Sequence, residues 1–578
     1  MVGRRPKTRR VSLRARVCVL ALASTALTPP VMSWAQAPSQ AVPGTTAAEL
    51  NPDTRVNRPP PRRSTGAFAP EPPGPCPLQE STVQVTLSSV SFKGSTAVSD
   101  AKLRDAYAEY IGKPQPVSVI CAIRDNAARI VFDSGILARV EIPEQRISGG
   151  ALVLEVIEAH VVNVRVRGDV GPAQAVVERY AEKLRGMRPF DMAKAQRYLL
   201  LASDVPGVRT RAAVRPSTSP EKGAVDIDLT VTREGPDAFA NVQNTGSKGV
   251  GRWGGLVRGQ IAGYTAYGDD TSLTAFHTLD SNEQWLVQLT EAARFGSEGA
   301  VVRGAFTYGE SRPGDVLKPL GLKSESVVGN LEGAYPVIRA RNENLNIAGG
   351  LDIIDQKTTV GGAGALSHDK LRIFYARADG DYRTEILQRP VLASAAVQVR
   401  KGVSGLGASD PGDPLTRGFA KPDAWVVRGQ GGVDVAISDR LTGAVRAQAQ
   451  YANSSLLPYE QITIGGLTVG RGYDPAALLG DKGLSGAFEL RYGPLQLHPK
   501  VIAAPYAFFD AGYVANNHAA ATGLQKDRTL KSVGAGVIFR VFSRANLEVT
   551  YAHPLDAVVA GGSRPGDRVL IQLTASLL

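Results

Sequence analysis

Short runs in which apolar and polar residues alternate fill the chain from about Ala238 to Leu578. In Ala444–Tyr451, Val445, Ala447, Ala449 and Tyr451 share one face, and Arg446, Gln448 and Gln450 share the other. In Ala487–Tyr492, Phe488, Leu490 and Tyr492 oppose Glu489 and Arg491. Val287 and Leu289 oppose Gln288 and Thr290, and Leu547, Val549 and Tyr551 oppose Glu548 and Thr550. In the last run, Val569, Ile571, Leu573 and Ala575 oppose Gln572 and Thr574. A strand with one wholly apolar face and one charged face suits a wall between lipid and a wet lumen. The pattern predicts a membrane β-barrel of about 16 antiparallel strands, an even number as closure of a bacterial barrel requires. No stretch after the N-terminus is apolar enough to span a bilayer as a helix, so an exported chain of this kind either stays soluble or inserts as a barrel.

One long connection interrupts the alternation. Leu457 to Gly483 reads LPYEQITIGGLTVGRGYDPAALLGDKG and contains Arg471, Gly472 and Tyr473 after Gly470. A loop this long is uncommon without a function. A second stretch, Phe508-Phe509-Asp510-Ala511-Gly512, lies in the strand-like run Ala503 to Val514. Period two places Phe508, Asp510 and Gly512 on one face, and a carboxylate there has to point into the lumen. Arg471 is the candidate partner for Asp510, through two parallel hydrogen bonds. Gly512 removes a side chain where a loop could press close. Asp510 and Glu489 form a possible carboxylate pair, but both fit lumen-facing strand positions better than an acid/base couple.

Upstream of the barrel the pattern changes. Residues 83–160 predict one small α/β module: a strand from Val83 to Phe92, a helix carrying Leu103, Tyr107 and Tyr110, and a second helix from about Val117. That second helix has Ile123, Ala127 and Ile130 in phase and ends near Gly135. Two strands then meet across Ser148-Gly149-Gly150. Residues 161–235 repeat the order: a strand Val162–Val166, helices Ala173–Leu184 and Asp191–Leu201, and two closing strands. Residues 236–578 are left for the barrel.

Residues 1–37 read as a secretory signal. Seven basic residues precede the apolar run Val17–Leu27, and Ala35-Gln36-Ala37 is a small-x-small cleavage site. Removing those seven residues lowers the formal charge from +12 to +5, which withdraws the electrostatic case for nucleic acid. Residues 38–82 are rich in proline and predict a semi-extended linker. Within them, Thr45 to Arg55 forms a short helix at best. Cys76 and Cys121 survive processing into an oxidising compartment, where a bridge between them is plausible; the alternative is two buried free thiols.

The motifs carry a resemblance. GGLTVGRGY followed by GDKG is similar to the loop motif of the outer-membrane assembly superfamily, and FFDAG resembles its strand motif F-x-D-x-G. The sequence departs from the pattern at Gly470, where the family has an apolar residue. The two β-α-α-β-β modules resemble paired POTRA domains, with SFKGSTAVSDAKL and SDVPGVRTRAAV as the matching stretches. Two modules, a Pro-rich leader and one barrel together resemble the two-partner-secretion transporters that export haemolysins and filamentous adhesins.

That resemblance implies a monomeric outer-membrane pore with periplasmic POTRA domains. An unfolded, β-rich exoprotein would be recognised there and passed through the lumen. Arg471, Gly472 and Tyr473 would set the loop conformation that permits passage, with Asp510 as the counter-charge. Similar transporters often carry an N-terminal helix that plugs the pore; the sequence leaves its presence open here. Relatives also tend to end in an aromatic residue. This chain ends Ser576-Leu577-Leu578 with Leu578 on the polar-face phase, so either the last strand bulges or that signal is relaxed. The alternatives are an assembly factor for other barrels and a passive solute channel.

Nothing points to an enzyme or a cofactor. Gly249-Val250-Gly251-Arg252-Trp253-Gly254 spells G-x-G-x-x-G, but a strand-like run follows where a phosphate site needs a helix. The histidines at 160, 277, 368, 498, 518 and 553 are scattered, without metal-ligand spacing.

Overall fold

The computed structural model describes residues 45–56, 74–362, 364–410, 412–519, 525–542 and 544–578. The expected signal, residues 1–37, and the linker residues 57–73 lie outside the described residues. Everything described belongs to one compact unit, Ala41–Leu578.

Two small α/β sheets precede the barrel. In the first, Ala151–Glu158 is the central strand, parallel to Ser89–Lys93 and antiparallel to Ala138–Glu141. The helix Val119–Asp133 covers this sheet through Ile120, Ile123, Ala127 and Val131, all fully buried at helical spacing. It stops before Gly135, whose φ of 84° suits glycine. The expected single strand Val83–Phe92 is divided: Gln84–Thr86 pairs with Pro114–Pro116, and only Ser89–Lys93 joins the main sheet. Gly150 forces the break, because its backbone presses so close that a Cβ would lie 2.4 Å from the Thr86 carbonyl oxygen. The expected helix over Leu103, Tyr107 and Tyr110 is one α-turn, Asp100–Leu103, followed by 3-10 turns. Ser99 makes no side-chain cap there, and Ile111 bridges to Leu87, which pulls the chain out of helical phase. A disulfide joins Cys76 to Cys121 on the main helix. Closing a loop across 45 positions is worth about 4 kcal/mol in chain entropy.

The second sheet has Ala224–Arg233 at its centre, between His160–Arg167 and Val208–Pro216. Its helices are Gln174–Glu182 and Met192–Ser203. Asp191 caps the latter, accepting from the N–H groups of Ala193 and Lys194.

The barrel closes on itself with sixteen antiparallel staves. These are β1 Asp237–Gln243, β2 Gly254–Ala262, β3 Asp270–Thr278, β4 Gln284–Phe295, β5 Ala300–Ser311, β6 Lys323–Arg339, β7 Glu343–Val360 and β8 Gly364–Ile386. The other eight are β9 Arg389–Gly402, β10 Trp425–Ala436, β11 Leu441–Ala452, β12 Lys482–Tyr492, β13 Val501–Ala515, β14 Asp527–Val541, β15 Ala545–Pro554 and β16 Arg568–Ser576. A short piece, Leu495–His498, continues β12. The apolar phase faces outward: Val445, Tyr451, Phe488, Phe509, Tyr551 and Val569 are all exposed there. The polar phase lines the lumen. Gly254, the last glycine of the G-x-G-x-x-G run, opens β2 rather than a helix. β16 pairs with β15 without a bulge, and the Leu577 N–H still donates to the Ala238 carbonyl of β1.

The second module sits against the turns at one end of the barrel, the end that the resemblance places in the periplasm. Gly299, in the β4–β5 turn, lets Leu201 approach until a Cβ would lie 2.5 Å from Cδ2. Arg339 of β6 reaches both carboxylate oxygens of Asp204, each at 2.6 Å. Arg197 donates to the carbonyls of Glu298 and Pro336. Lys183 pairs with the Glu298 carboxylate at 2.9 Å, and the Tyr198 hydroxyl donates to it at 3.1 Å. Partial burial works against the charge on Glu298, but the hydrogen bonds from Lys183 and Tyr198 outweigh it and hold the carboxyl below its ordinary value.

A carboxyl depressed in the docked state stabilises docking fully above its free value, and that contribution disappears as pH falls through the depressed value. Protection of the helix Met192–Ser203 against hydrogen exchange, measured relative to the intrinsic rate at each pH, is therefore expected to fall from near neutral pH toward pH 3. Glu298→Gln is expected to remove most of that pH dependence; an unchanged profile in that variant would assign it elsewhere.

Candidate functional site: a loop and a plug inside the lumen

The loop between β11 and β12 leaves the extracellular end of the barrel and folds back into the lumen. Its apolar residues explain the direction. Ile462, Ile464, Tyr473 and Leu478 are buried together with Val514 of β13 and Leu530 of β14. Those side chains would lie exposed in water on an outward loop; burying each is worth about 1.5–3 kcal/mol.

Arg471 sits at the tip, 7% exposed, and meets two carboxylates. Its Nη2 donates to Asp510 Oδ1 at 2.8 Å and its Nε to Oδ2 at 3.1 Å. Its Nη1 donates to Glu489 Oε2 at 2.8 Å. The backbone joins in, since the N–H groups of Gly470 and Arg471 both donate to Asp510 Oδ2 at 3.0 Å. Asp510, with no exposed surface, is thus held by side chain and main chain at once. The guanidinium also lies 3.5 Å from the centre of the Phe508 ring, whose face favours a cation.

Gly470 explains its own departure from the motif. Its φ is 82°, a conformation that turns successive N–H groups toward one anion. A Cβ there would stand 3.0 Å from the Gly465 nitrogen. The apolar anchorage comes instead from Ile464 and Tyr473. Gly512 serves as a close-approach position, where a Cβ would lie 2.5 Å from Ile464 Cδ1. Gly472 packs on the wall, its N–H 3.3 Å from Ser532 Oγ. The Tyr473 hydroxyl donates to the Lys531 carbonyl at 2.7 Å and accepts from the Asp556 N–H at 2.9 Å.

Two further anchors escape sequence reasoning. At the start of the loop, buried Glu460 takes Arg400 of β9 through both carboxylate oxygens, at 2.8 and 3.0 Å. Arg400 also reaches Asp352 of β7 at 2.8 Å. At the exit, Asp481 accepts from Arg417 at 2.7 Å and from the Leu456 N–H at 2.9 Å. Glu460 and Asp481 lie within the conspicuous stretch, in LPYEQ and GDKG. Their partners are 60 and 64 positions away, and no local signal points to them.

A second body shares the lumen. Ala47–Leu50 is one helical turn with a reciprocal capping box between Thr46 and Glu49, followed by a 3-10 turn Pro52–Arg55. Leu50 packs in a cluster with Val328, Ile354, Leu371 and the loop residue Leu457. Gln356 of β7 donates to the Thr45 carbonyl and Gln572 of β16 donates to the Arg55 carbonyl. Asp53 pairs with Arg258 at 3.2 Å, with the Asp53 side chain exposed. Below the loop tip, on the periplasmic side, the lumen widens to a vestibule of about 900 Å³ bounded by Asp379, Arg446, Glu489 and Arg540.

Residues 223–539 match the family model described as haemolysin secretion/activation protein ShlB/FhaC/HecB, and residues 85–159 match the ShlB-type POTRA domain. The heme/hemopexin transporter protein HuxB of Haemophilus influenzae is 20% identical over 493 residues, covering 83% of this chain and 85% of HuxB. Two solved structures share the fold. CdiB from Escherichia coli has a TM-score of 0.70 at 16% identity, covering 89% of this chain and 93% of that one. CdiB from Acinetobacter baumannii has a TM-score of 0.61 at 14% identity, covering 89% and 94%.

Removing one partner of a buried ion pair costs about 3–5 kcal/mol, because the other charge is stranded. Arg471→Ala is expected to strand Asp510 and Glu489 and release the loop. Limited proteolysis within residues 462–478, in detergent, should become at least tenfold faster than in the wild type, while β-sheet content stays unchanged. Equal rates would show that the loop is seated without the arginine.

Proposed function

The chain belongs to the ShlB/FhaC/HecB family of haemolysin secretion/activation proteins, and from that premise we propose how its lumen works during transport. The protein is an outer-membrane two-partner-secretion pore, with its POTRA domains in the periplasm and a secreted exoprotein as its partner. In our reading it is a conduit that performs no reaction of its own. Its client is a β-rich haemolysin or adhesin, kept unfolded until it emerges. It works as a single barrel, its closed wall offering no free strand edge through which a second copy could extend the sheet. Its functional divisions are a signal (1–37), a leader and linker (38–82), two client-binding modules (83–160 and 161–235) and the pore (236–578).

The observation that carries the mechanism is a contrast inside the lumen. The loop is fixed at three points by buried ion pairs: Glu460 with Arg400, Arg471 with Asp510 and Glu489, and Asp481 with Arg417. Among the described residues the segment 45–56 has one ion pair, with an exposed carboxylate; the rest of its hold is the apolar packing of Leu50 and Val56, Arg55 stacked on Phe276, and a few hydrogen bonds, with no buried ion pair to break. Among the described residues, the plug is therefore the part that leaves at lower cost. We read the loop as a fixed lining and the plug as the gate. An extended client would enter through the vestibule and occupy the space the plug vacates. Folding of the client at the cell surface supplies the pull, since no nucleotide is available outside the inner membrane.

Deleting the gene should remove one large exoprotein from the medium; general loss of outer-membrane barrels would instead favour an assembly factor. Arg471→Ala should lower secretion of that exoprotein at least tenfold with the barrel still inserted. Exchanging the charges, Arg471→Asp with Asp510→Arg, should restore only part of the export. An arginine at 510 cannot accept the N–H groups of residues 470 and 471, and Glu489 would face an aspartate. Full export by Arg471→Ala would reject the loop's role.

A further inference from the structure

At the periplasmic end the β8–β9 hairpin runs past both of its neighbouring strands. β7 begins at Glu343, which pairs with Tyr382 of β8. β8 then runs on through Arg383, Thr384, Glu385 and Ile386, paired only with β9. On the other side, pairing of β9 with β10 starts at Val391. β8 therefore overruns β7 by four residues, roughly 13 Å at strand rise, and the last two, Glu385 and Ile386, form a two-stranded tip with Pro390 and Arg389.

The two edges of this ribbon differ. On the β10 side, Pro390 has no N–H to offer, and Arg389 is braced on Asp439 of the β10–β11 turn at 2.7 Å. Both are ways of closing an edge. On the β7 side the edge is open. The Arg383 N–H points that way, donating to the Asn342 carbonyl. Backbone groups alternate in direction along a strand, so the Glu385 N–H and C=O, directly opposite Pro390, point the same way beyond the end of β7. The open edge lies on the side of the docked second module. Arg341, in the neighbouring β6–β7 turn, donates its N–H to Gln196 of that module.

The tip itself is unusual. Leu387 and Gln388 have φ of 52° and 59°, the turn conformation that hairpins ordinarily fill with asparagine and glycine. Leu387 is 92% exposed and Ile386 is 58% exposed. Ile386 continues the outward phase of Phe374 and Tyr382, while Leu387 stands past the last strand pair in a conformation that costs a residue other than glycine or asparagine.

We propose that the open edge of the β8–β9 hairpin is a strand-addition site for an extended segment of the exported polypeptide, between the second module and the lumen. The peptide of Glu385 supplies the hydrogen bonds, and Ile386 and Leu387 cover apolar side chains of the arriving strand. The ribbon continues the module–barrel interface across the mouth, so a client leaving the module meets it before the vestibule. This proposal rests on the transport reading.

The test is secretion of the polypeptide that disappears from the medium when the gene is deleted. If deletion removes none, the transport reading falls and takes this proposal with it. Given such a polypeptide, Glu385→Pro removes the free N–H and spares the hairpin's own bonds, mirroring Pro390. Its secretion should fall at least tenfold with barrel insertion normal, whereas Glu385→Ala, which keeps the N–H, should stay within twofold of wild type. Wild-type secretion by Glu385→Pro, or an equal loss in Glu385→Ala, overturns the site and leaves the transport reading intact. Should Glu385→Pro fail to insert, a benzophenone attached to Leu387→Cys decides. A photoadduct with the same polypeptide, and none from Asp439→Cys on the braced side, supports the site; no adduct from position 387 overturns it.

Discussion

A charge inside a narrow, protein-walled lumen has to be matched, and this constraint organises the molecule. Asp510 lies on the inner face of β13 with no exposed surface, where a carboxylate without partners would be costly. It is matched by a guanidinium and two peptide N–H groups, all from one loop tip. Satisfying the wall therefore requires the loop to be inside. The same rule is applied twice more, with Glu460 on Arg400 and Asp481 on Arg417, so the loop is registered at entry, tip and exit. Buried pairs of this sort add little net stability over an apolar core, but they penalise any other placement of the loop.

The glycines follow from that placement. Gly512 lets Ile464 touch the wall, Gly472 lets the chain lie on Ser532, and Gly470 takes a backbone conformation that aims two N–H groups at one carboxylate. At the other end, the β4–β5 turn uses Gly299 to admit Leu201 of the second module. The modules and the pore are thus joined by tight packing as well as by the Arg339–Asp204 pair. A client delivered at the module is delivered at the mouth.

Strand identity and facing were legible from period two, because a barrel wall separates two solvents and each strand carries that division in its own sequence. Arg471 and Asp510 were legible as a pair only because the family motifs draw attention to both; the residues alone say that each needs a partner, not which. Glu460 and Asp481 show the limit. Both stand in the marked loop, yet one partner, Arg400, is placed by the register of β9 and the other, Arg417, by the connection between β9 and β10, and no local pattern encodes either. The plug shows another limit. Thr45–Arg55 reads as a short helix at best, and the structure gives one α-turn and one 3-10 turn; the residues that hold it are spread over staves from β2 to β8 and on β16. In the first module, the strand expected over Val83–Phe92 divides because of the close approach of Gly150, a tertiary contact that propensity cannot register.

We propose that during transport the loop stays in the lumen and the plug leaves it. Secretion by two disulfide-tethered variants tests it most directly, with wild type treated alike to control for the native Cys76–Cys121 bridge. Ile464→Cys with Gly512→Cys fixes the loop to β13; Leu50→Cys with Gly309→Cys fixes the plug to β5, where Leu50 Cδ2 lies 3.1 Å from the place of a Cβ at 309. Under oxidising conditions the loop-tethered protein should still secrete, and the plug-tethered protein should stop and recover on reduction. Secretion through the plug-tethered barrel, or arrest by the loop tether alone, would contradict the account.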